Sequence, residues 1–270
     1  MKFNIFIFKS IFMTIKLGKY NIDGITTGNQ QTGLIIQELK IQLDAGYYSG
    51  HDINHILITH GHSDHIKAIT DIVQNNTKKT NIICPEFLLP FLKNFLNSFF
   101  QMVSLKKYNN KLNKLVTWNQ DINNVIIETF PVKHSVKCVS YGIITKTKKL
   151  KEEFKGLSGP ELVELKKTTE ITETSFNHEI LYVTDLDHTS LKSLPFLQYK
   201  NIIIECTFFF PEHKQEARDR FHLHWEDIQP IIKQFPDKNF LITHVSPRYL
   251  KQKETIKNII KDFNNTQILI

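Results

Sequence analysis

The chain has 270 residues, 41% of them hydrophobic, enough for one large layered domain with a substantial buried core. Lys and Arg number 34 against 27 Asp and Glu, a formal charge of +7 that suits acidic partners such as nucleic acid. The cysteines Cys84, Cys138 and Cys206 are too scattered for a disulfide framework and contain no CxxC pair, which favours a reducing cytosol or nucleus; no stretch approaches the ~20 uninterrupted apolar residues of a spanning helix, so no membrane partner is expected.

Taken in order, the opening segment carries Lys2, Lys9, Lys16 and Lys19 with no acid before Asp23. This fits either an N-terminal extension over residues 1–13 or an organelle-targeting segment. From Ile22 to Asp44 short β-type runs, Gly33 to Gln37 and Leu39 to Leu43, predict hairpins. A strand over Asn54 to Thr59 follows and ends at His60. The spacing of Ile66, Ile69, Ile72 and Val73 predicts a helix that the cluster Asn75 to Lys79 stops, and Pro85 opens another containing Phe87, Leu88, Phe91, Leu92, Phe95 and Leu96. Further strands are expected around Val125 to Phe130, Ser140 to Thr145, Ile180 to Thr184, Ile202 to Glu205 and Phe240 to Thr243. Residues 146–177 are densely charged and poor in aromatics, as a short inserted arm would be. Strands with helices interspersed in both halves predict an α/β fold: a single domain over residues 1–270, built as a four-layer αββα sandwich.

Chemistry concentrates where strands end. His60, His62, Asp64 and His65 lie within six residues directly after an apolar strand. Imidazole and carboxylate are the donors zinc takes when thiolates are absent, and so many polar groups near a core need a compensating partner. His134, Asp185 and His244 each sit just past a β-like run. If parallel strand ends meet at one edge, these side chains complete a cluster large enough for two metals, with Asp185 the natural bridging carboxylate. His222 and His224 lie on a loop able to fold over such a centre. His51, His55, His178, His188 and His213 read as solvated surface residues.

The run His60-Gly61-His62-Ser63-Asp64-His65 has the His-x-His-x-Asp-His signature of the metallo-β-lactamase superfamily. Later blocks, Pro131 to His134 with Tyr141-Gly142, Thr184-Asp185, Glu205-Cys206-Thr207-Phe208 and His244 to Tyr249, together resemble the ribonuclease Z family, tRNA 3′-processing endonucleases of the metallo-β-lactamase fold. The short plant form is nearest, through Ala217 to His224 and Leu150 to Gly159. This resemblance implies two Zn2+ ions, one held by His60, His62 and His134 and the other by Asp64, His65 and His244, with Asp185 joining both. It implies a catalytic set of Asp64, His222 and the supporting Glu205, and an RNA contact from Arg248. Precursor tRNA is then the substrate and a homodimer the expected assembly. Three departures stand out: Thr184 and Leu186 flank the bridging Asp where the family usually has Gly and Thr, Thr26-Thr27-Gly28 only loosely echoes its Gly-Thr-Gly turn, and Cys206 replaces Ala. Other uses of the same residues are a small-nucleotide or generic phosphodiesterase, a lactamase or glyoxalase, and an inactive RNA-binding scaffold.

Overall fold

The computed structural model describes residues 14–76, 80–103, 112–116, 120–122 and 124–270. The expected 1–13 extension lies outside the described residues, as do Thr77, Lys78 and Lys79. Two seven-stranded sheets follow one another along the chain. The first runs in sequence order through β1 (Ile15–Leu17), β2 (Tyr20–Thr27), β3 (Gln31–Ile36), β4 (Ile41–Leu43), β5 (His55–Leu57), β6 (Thr80–Ile83) and β7 (Leu112–Val116). The second is ordered from its far edge: β14 (Thr266–Ile268), β13 (Asn239–Thr243), β12 (Asn201–Glu205), β11 (Thr172–Val183), β10 (Cys138–Leu150), β9 (Val125–Val132) and β8 (Gln120–Ile122). Helices are α1 (Ser63–Ile66), α2 (Ile69–Asn75), α3 (Leu89–Met102), α4 (Gly159–Leu165), α5 (Lys214–Asp219), α6 (Trp225–Gln234) and α7 (Lys253–Ile260).

The layering follows from the period-2 alternation of side chains in strands that are apolar on both faces. In the first sheet Leu34, Ile36, Leu57 and Ile83 point inward to meet Tyr141, Ile143, Ile180, Tyr182, Ile203 and Leu241 of the second. Their chain neighbours turn outward. Ile35, Ile56, Ile58 and Ile82 pack on Ile69, Ile72 and Val73 of α2 and Leu92, Leu96 and Phe100 of α3. Leu181, Val183, Ile202, Ile204, Phe240 and Ile242 pack on Ile228 and Ile232 of α6 and Ile256 and Ile260 of α7. Three apolar interfaces between four layers make the expected αββα sandwich.

Strand direction places the site. Strands β4, β5 and β6 are mutually parallel, and so are β11, β12, β13 and β14. Because β9 and β11 are both antiparallel to β10, β9 ends at the same edge as β11. The charged stretch is a ribbon: β10 and β11 stay paired out to Leu150 opposite Thr172, and α4, capped by Ser158 and Glu161, sits at the tip. Alternation splits its basic run, with Lys146 and Lys148 on one face and Lys149, opposite Glu173, on the other. Lys148 pairs with Glu170 at 3.3 Å. No helix among the described residues is long and apolar enough to cross a membrane.

Candidate metal centre

All seven side chains singled out as ligands meet at one edge of the sandwich. His60, His62, Asp64 and His65 come from the loop and short helix after β5, His134 from beyond β9, Asp185 from beyond β11 and His244 from beyond β13. Asp44, Asp185 and His244 have φ of 57°, 51° and 56°, left-handed backbone that costs an L residue roughly 1–2 kcal/mol. That torsion turns each chain sharply as it leaves its strand.

The donor atoms form two groups. In the first, His62 Nδ1 lies 3.0 Å from His60 Nε2 and 3.3 Å from His134 Nε2, and Asp185 Oδ2 is 3.7 Å from each of those Nε2 atoms. In the second, Asp64 Oδ2 lies 3.6 Å from both His65 Nε2 and His244 Nε2. Asp185 reaches this group too, with Oδ2 at 3.4 Å from His65 Nε2 and Oδ1 at 3.3 Å from His244 Nε2. Donors about 2.0–2.2 Å from a tetrahedral cation stand roughly 3.3–3.6 Å apart. The observed separations, 3.0–3.7 Å, bracket that spacing, and the Asp185 carboxylate reaches both groups.

On four of the five histidines the outer ring nitrogen is already occupied. His65 Nδ1 donates to Asp44 Oδ2 at 2.8 Å, His134 Nδ1 to the Phe221 carbonyl at 3.0 Å, His60 Nδ1 to Thr59 Oγ1 at 3.0 Å and His244 Nδ1 to Thr207 Oγ1 at 3.0 Å. These bonds fix the ring orientations so that the Nε2 atoms face inward. His65 Nε2 and His244 Nε2 are buried with no hydrogen-bond partner, an arrangement that costs free energy unless something electrophilic sits between them. The nitrogen and oxygen donor set fits a divalent cation of zinc type.

Protonation agrees. Burial drives His60, His62 and His134 below the ordinary imidazole range, leaving neutral donors. Burial alone would raise Asp185, but the imidazoles of His244 and His65 hold it well below the usual carboxylate range. Burial would lower His65, yet Asp185 and Asp44 keep it well above its ordinary value, so a cation arriving there displaces a proton.

Beside the two groups, His222 Nδ1 lies 3.1 and 3.2 Å from the two oxygens of fully buried Glu205. Burial pushes this imidazole down, and the charge and hydrogen bonding of Glu205 more than reverse it, to about 9. A left-handed turn at Phe221, with φ of 57°, ends α5 and brings His222 to the cleft. That cleft, about 870 Å³, is lined by His62, Asp64, His134, Asp185, His222 and His244 among others.

The sequence departures have local explanations. Thr184 donates its hydroxyl to Asp185 Oδ1 at 2.7 Å, so the residue in place of Gly adds a tether to the shared carboxylate. Leu186, in place of Thr, contributes its backbone N–H to Glu205 Oε1 at 2.8 Å. Thr26 Oγ1 accepts from His244 N at 3.0 Å and Gly28 N donates to the Val245 carbonyl at 3.1 Å, so the loosely matching turn still seats the His244 loop. Cys206 is buried.

Some expectations need correcting. His224 faces away from the cleft: its Nδ1 caps α6 by accepting from Glu226 N at 3.2 Å, and its Nε2 meets the Phe210 carbonyl. His55 is buried beside Asn81 instead of solvated, because β5 is covered on both faces. Arg248, which the resemblance assigns to the RNA, is not one of these: it lies beside the cleft with both terminal nitrogens on Glu216 at 2.7 Å.

Two residues were missed. Asp44, fully buried, accepts from Thr59 N (2.8 Å), Thr59 Oγ1 (2.9 Å), His65 Nδ1 (2.8 Å) and Tyr182 OH (2.7 Å). Its signal was available, since it directly follows the run Ile41-Gln42-Leu43. Thr207 gives its hydroxyl proton to Glu205 and accepts from His244, joining the two. We expect Asp44→Ala to lower the unfolding free energy by about 3–5 kcal/mol, as removal of one member of a buried charged network does. Cation affinity should fall about 10–100-fold as well. Denaturant melts and metal titration check this, and an unchanged midpoint would deny Asp44 the role.

Comparison with known proteins identifies the family and the fold. The sequence profile of the beta-lactamase superfamily domain matches residues 37–245. The protein named tRNase Z TRZ2, chloroplastic, of Arabidopsis thaliana is 27% identical over 250 residues, covering 87% of this chain and 70% of the relative. A ribonuclease Z of Clostridium acetobutylicum is 26% identical over 249 residues, covering 80% and 79%. Among solved structures, human tRNase Z, short form, superposes with a TM-score of 0.57 at 12% identity over 90% of this chain and 93% of that one. The metallo-β-lactamase fold protein YhfI of Bacillus subtilis gives 0.58 at 15% identity, over 91% and 94%. Profile, fold and paired donor groups converge: the chain belongs to the beta-lactamase superfamily domain family, and its resemblance to ribonuclease Z extends over most of its length.

Proposed function

We propose that this protein is a metal-dependent phosphodiester hydrolase, a zinc-dependent endoribonuclease that removes the 3′ trailer from precursor tRNA. The observation that carries the chemistry is the pair of donor groups sharing Asp185 beneath an open cleft. Relatives named tRNase Z and ribonuclease Z support the substrate. In this reading His60, His62, His134 and Asp185 hold one Zn2+, and Asp64, His65, His244 and Asp185 hold the second. Such ions, when bound, supply Lewis acidity toward water and a phosphate oxygen.

The protein's own residues do the rest. Glu205 fixes His222 through Nδ1 and keeps it charged, so that Nε2 can deliver a proton to the leaving oxygen. Thr207 holds Glu205 and His244 in mutual register. Cleavage of a precursor tRNA carrying a 3′ trailer by the zinc-loaded protein, abolished by chelation, tests the function. Hydrolysis of a generic diester with none of the tRNA would favour the small-phosphodiesterase alternative, and zinc binding without either activity would favour the RNA-binding scaffold.

The ribbon of β10 and β11 with α4 serves as the tRNA-gripping arm. Replacing Lys146, Lys148, Lys149 and Lys151 by Gln should raise KM for precursor tRNA and flatten its salt dependence, while a small phosphodiester is cleaved as before. Equal losses on both substrates would rule the arm role out. A homodimer is the assembly this resemblance implies. The name of the chloroplastic Arabidopsis relative supports an organelle-directing role for the lysine-bearing opening, beside the cytosolic or nuclear location.

A further inference from the structure

A second, smaller pocket of about 270 Å³ adjoins the metal cleft, and the two share Asn29, Arg220, His222 and His244. Its other walls include Thr207, Phe208, Ser246 and Arg248, and no carboxylate lines it. Two acidic side chains stand just outside, Glu205 against His222 and Glu216 against the arginines. Glu216 takes both terminal nitrogens of Arg248 at 2.7 Å and, on the same Oε1, the Nε of Arg220 at 3.0 Å. One carboxylate thus holds two guanidinium groups, which leaves a net positive charge at the pocket.

The two arginines are held differently. Arg248 has its planar fork consumed by Glu216, with its guanidinium 5.3 Å from the Phe208 ring centre. Arg220 is gripped only through Nε, so its two terminal nitrogens meet no acceptor among the described residues, and its side chain is 61% exposed. Only Arg220 belongs to both cavities. Chain geometry fixes its base, because Arg220 N donates to the Glu216 carbonyl at 3.0 Å and the next residue is the left-handed Phe221.

From this we infer that Arg220, aimed by Glu216 and Arg248, is the contact for the nucleic-acid phosphate adjacent to the one being cleaved. A free guanidinium fork matches two phosphate oxygens, and a tethered Nε removes much of the entropy lost when an exposed arginine binds. This rests on the phosphodiester substrate proposed above and adds a second phosphate subsite to it, with Arg220 rather than Arg248 in contact.

The test uses metal-loaded protein and a short single-stranded RNA spanning the cleavage junction, with each phosphate in turn replaced by an uncharged methylphosphonate. Wild-type protein should lose about 10-fold in affinity when the phosphate next to the scissile one is neutralised. Arg220→Gln should bind the unmodified RNA about 10-fold more weakly and show no penalty at that position, a coupling that independent sites do not give. An unchanged melting temperature and cation content in Arg220→Gln exclude a loss of fold. If Arg220→Gln keeps every wild-type penalty, or if Arg248→Gln alone erases it, the assignment is overturned while the RNA substrate stands. If the RNA does not bind wild-type protein at all, this subsite falls, and if precursor tRNA fails to bind as well the substrate class falls with it.

Discussion

His222→Ala is expected to fold, to keep its cations and to cleave about 10²–10⁴ times more slowly than the wild type, the usual worth of a positioned proton donor. The expectation follows from where the side chain stands. His222 sits against Glu205 at the cleft, 15% exposed, whereas His60, His65, His134 and His244 are oriented by partners other than His222. Removing it deletes a proton source and leaves those bonds in place. Single-turnover cleavage together with metal analysis decides the matter. A wild-type rate would dispose of the acid role, and cation loss in parallel with the rate would make His222 a ligand, which its place beside Asp185 and His244 allows geometrically.

Asp185→Ala should do the opposite: cation content collapses first and activity goes with it. The two oxygens of Asp185 face both donor groups, and the carboxylate is buried among their imidazoles. Without it His60, His62 and His134 are left with three neutral nitrogens, and Asp64, His65 and His244 with a single carboxylate. We expect affinity for both ions to fall by more than about 100-fold, beyond what loss of a supporting residue outside the ligand shell costs. Metal content after dialysis gives the answer, and two ions retained per chain would refute the bridging role.

Much of this was legible in the sequence because the pertinent signals are local. The His60 to His65 run carries four donor-type side chains in six residues, and the strands before Asp185 and His244 are unbroken apolar stretches. Such stretches belong to strands covered on both faces, and parallel strands of that kind end together. The central strands of both sheets followed from this pattern, whereas β1, β6, β7, β8 and β14 did not. What was hidden depends on long-range partners. Nothing near Arg248 announces Glu216, 32 residues earlier in the chain, as the group that takes its fork. Nothing beside Asp44 announces Tyr182, 138 residues away, whose hydroxyl helps to justify a buried carboxylate. His224 misled for the reverse reason, since a His-x-His pair places one ring in the cleft and leaves the other to cap a helix.

The order of the strands has a thermodynamic corollary. The first sheet is built wholly from residues before the second begins, and each donor group takes two side chains from the first half and two from the second. Neither half alone offers a complete coordination shell. An ion in either position therefore staples together two successive portions of polypeptide, and its binding constant contains the free energy of docking one sheet on the other. Conditions that part the halves while each keeps its strands, such as mild denaturant, release the ion before secondary structure is lost.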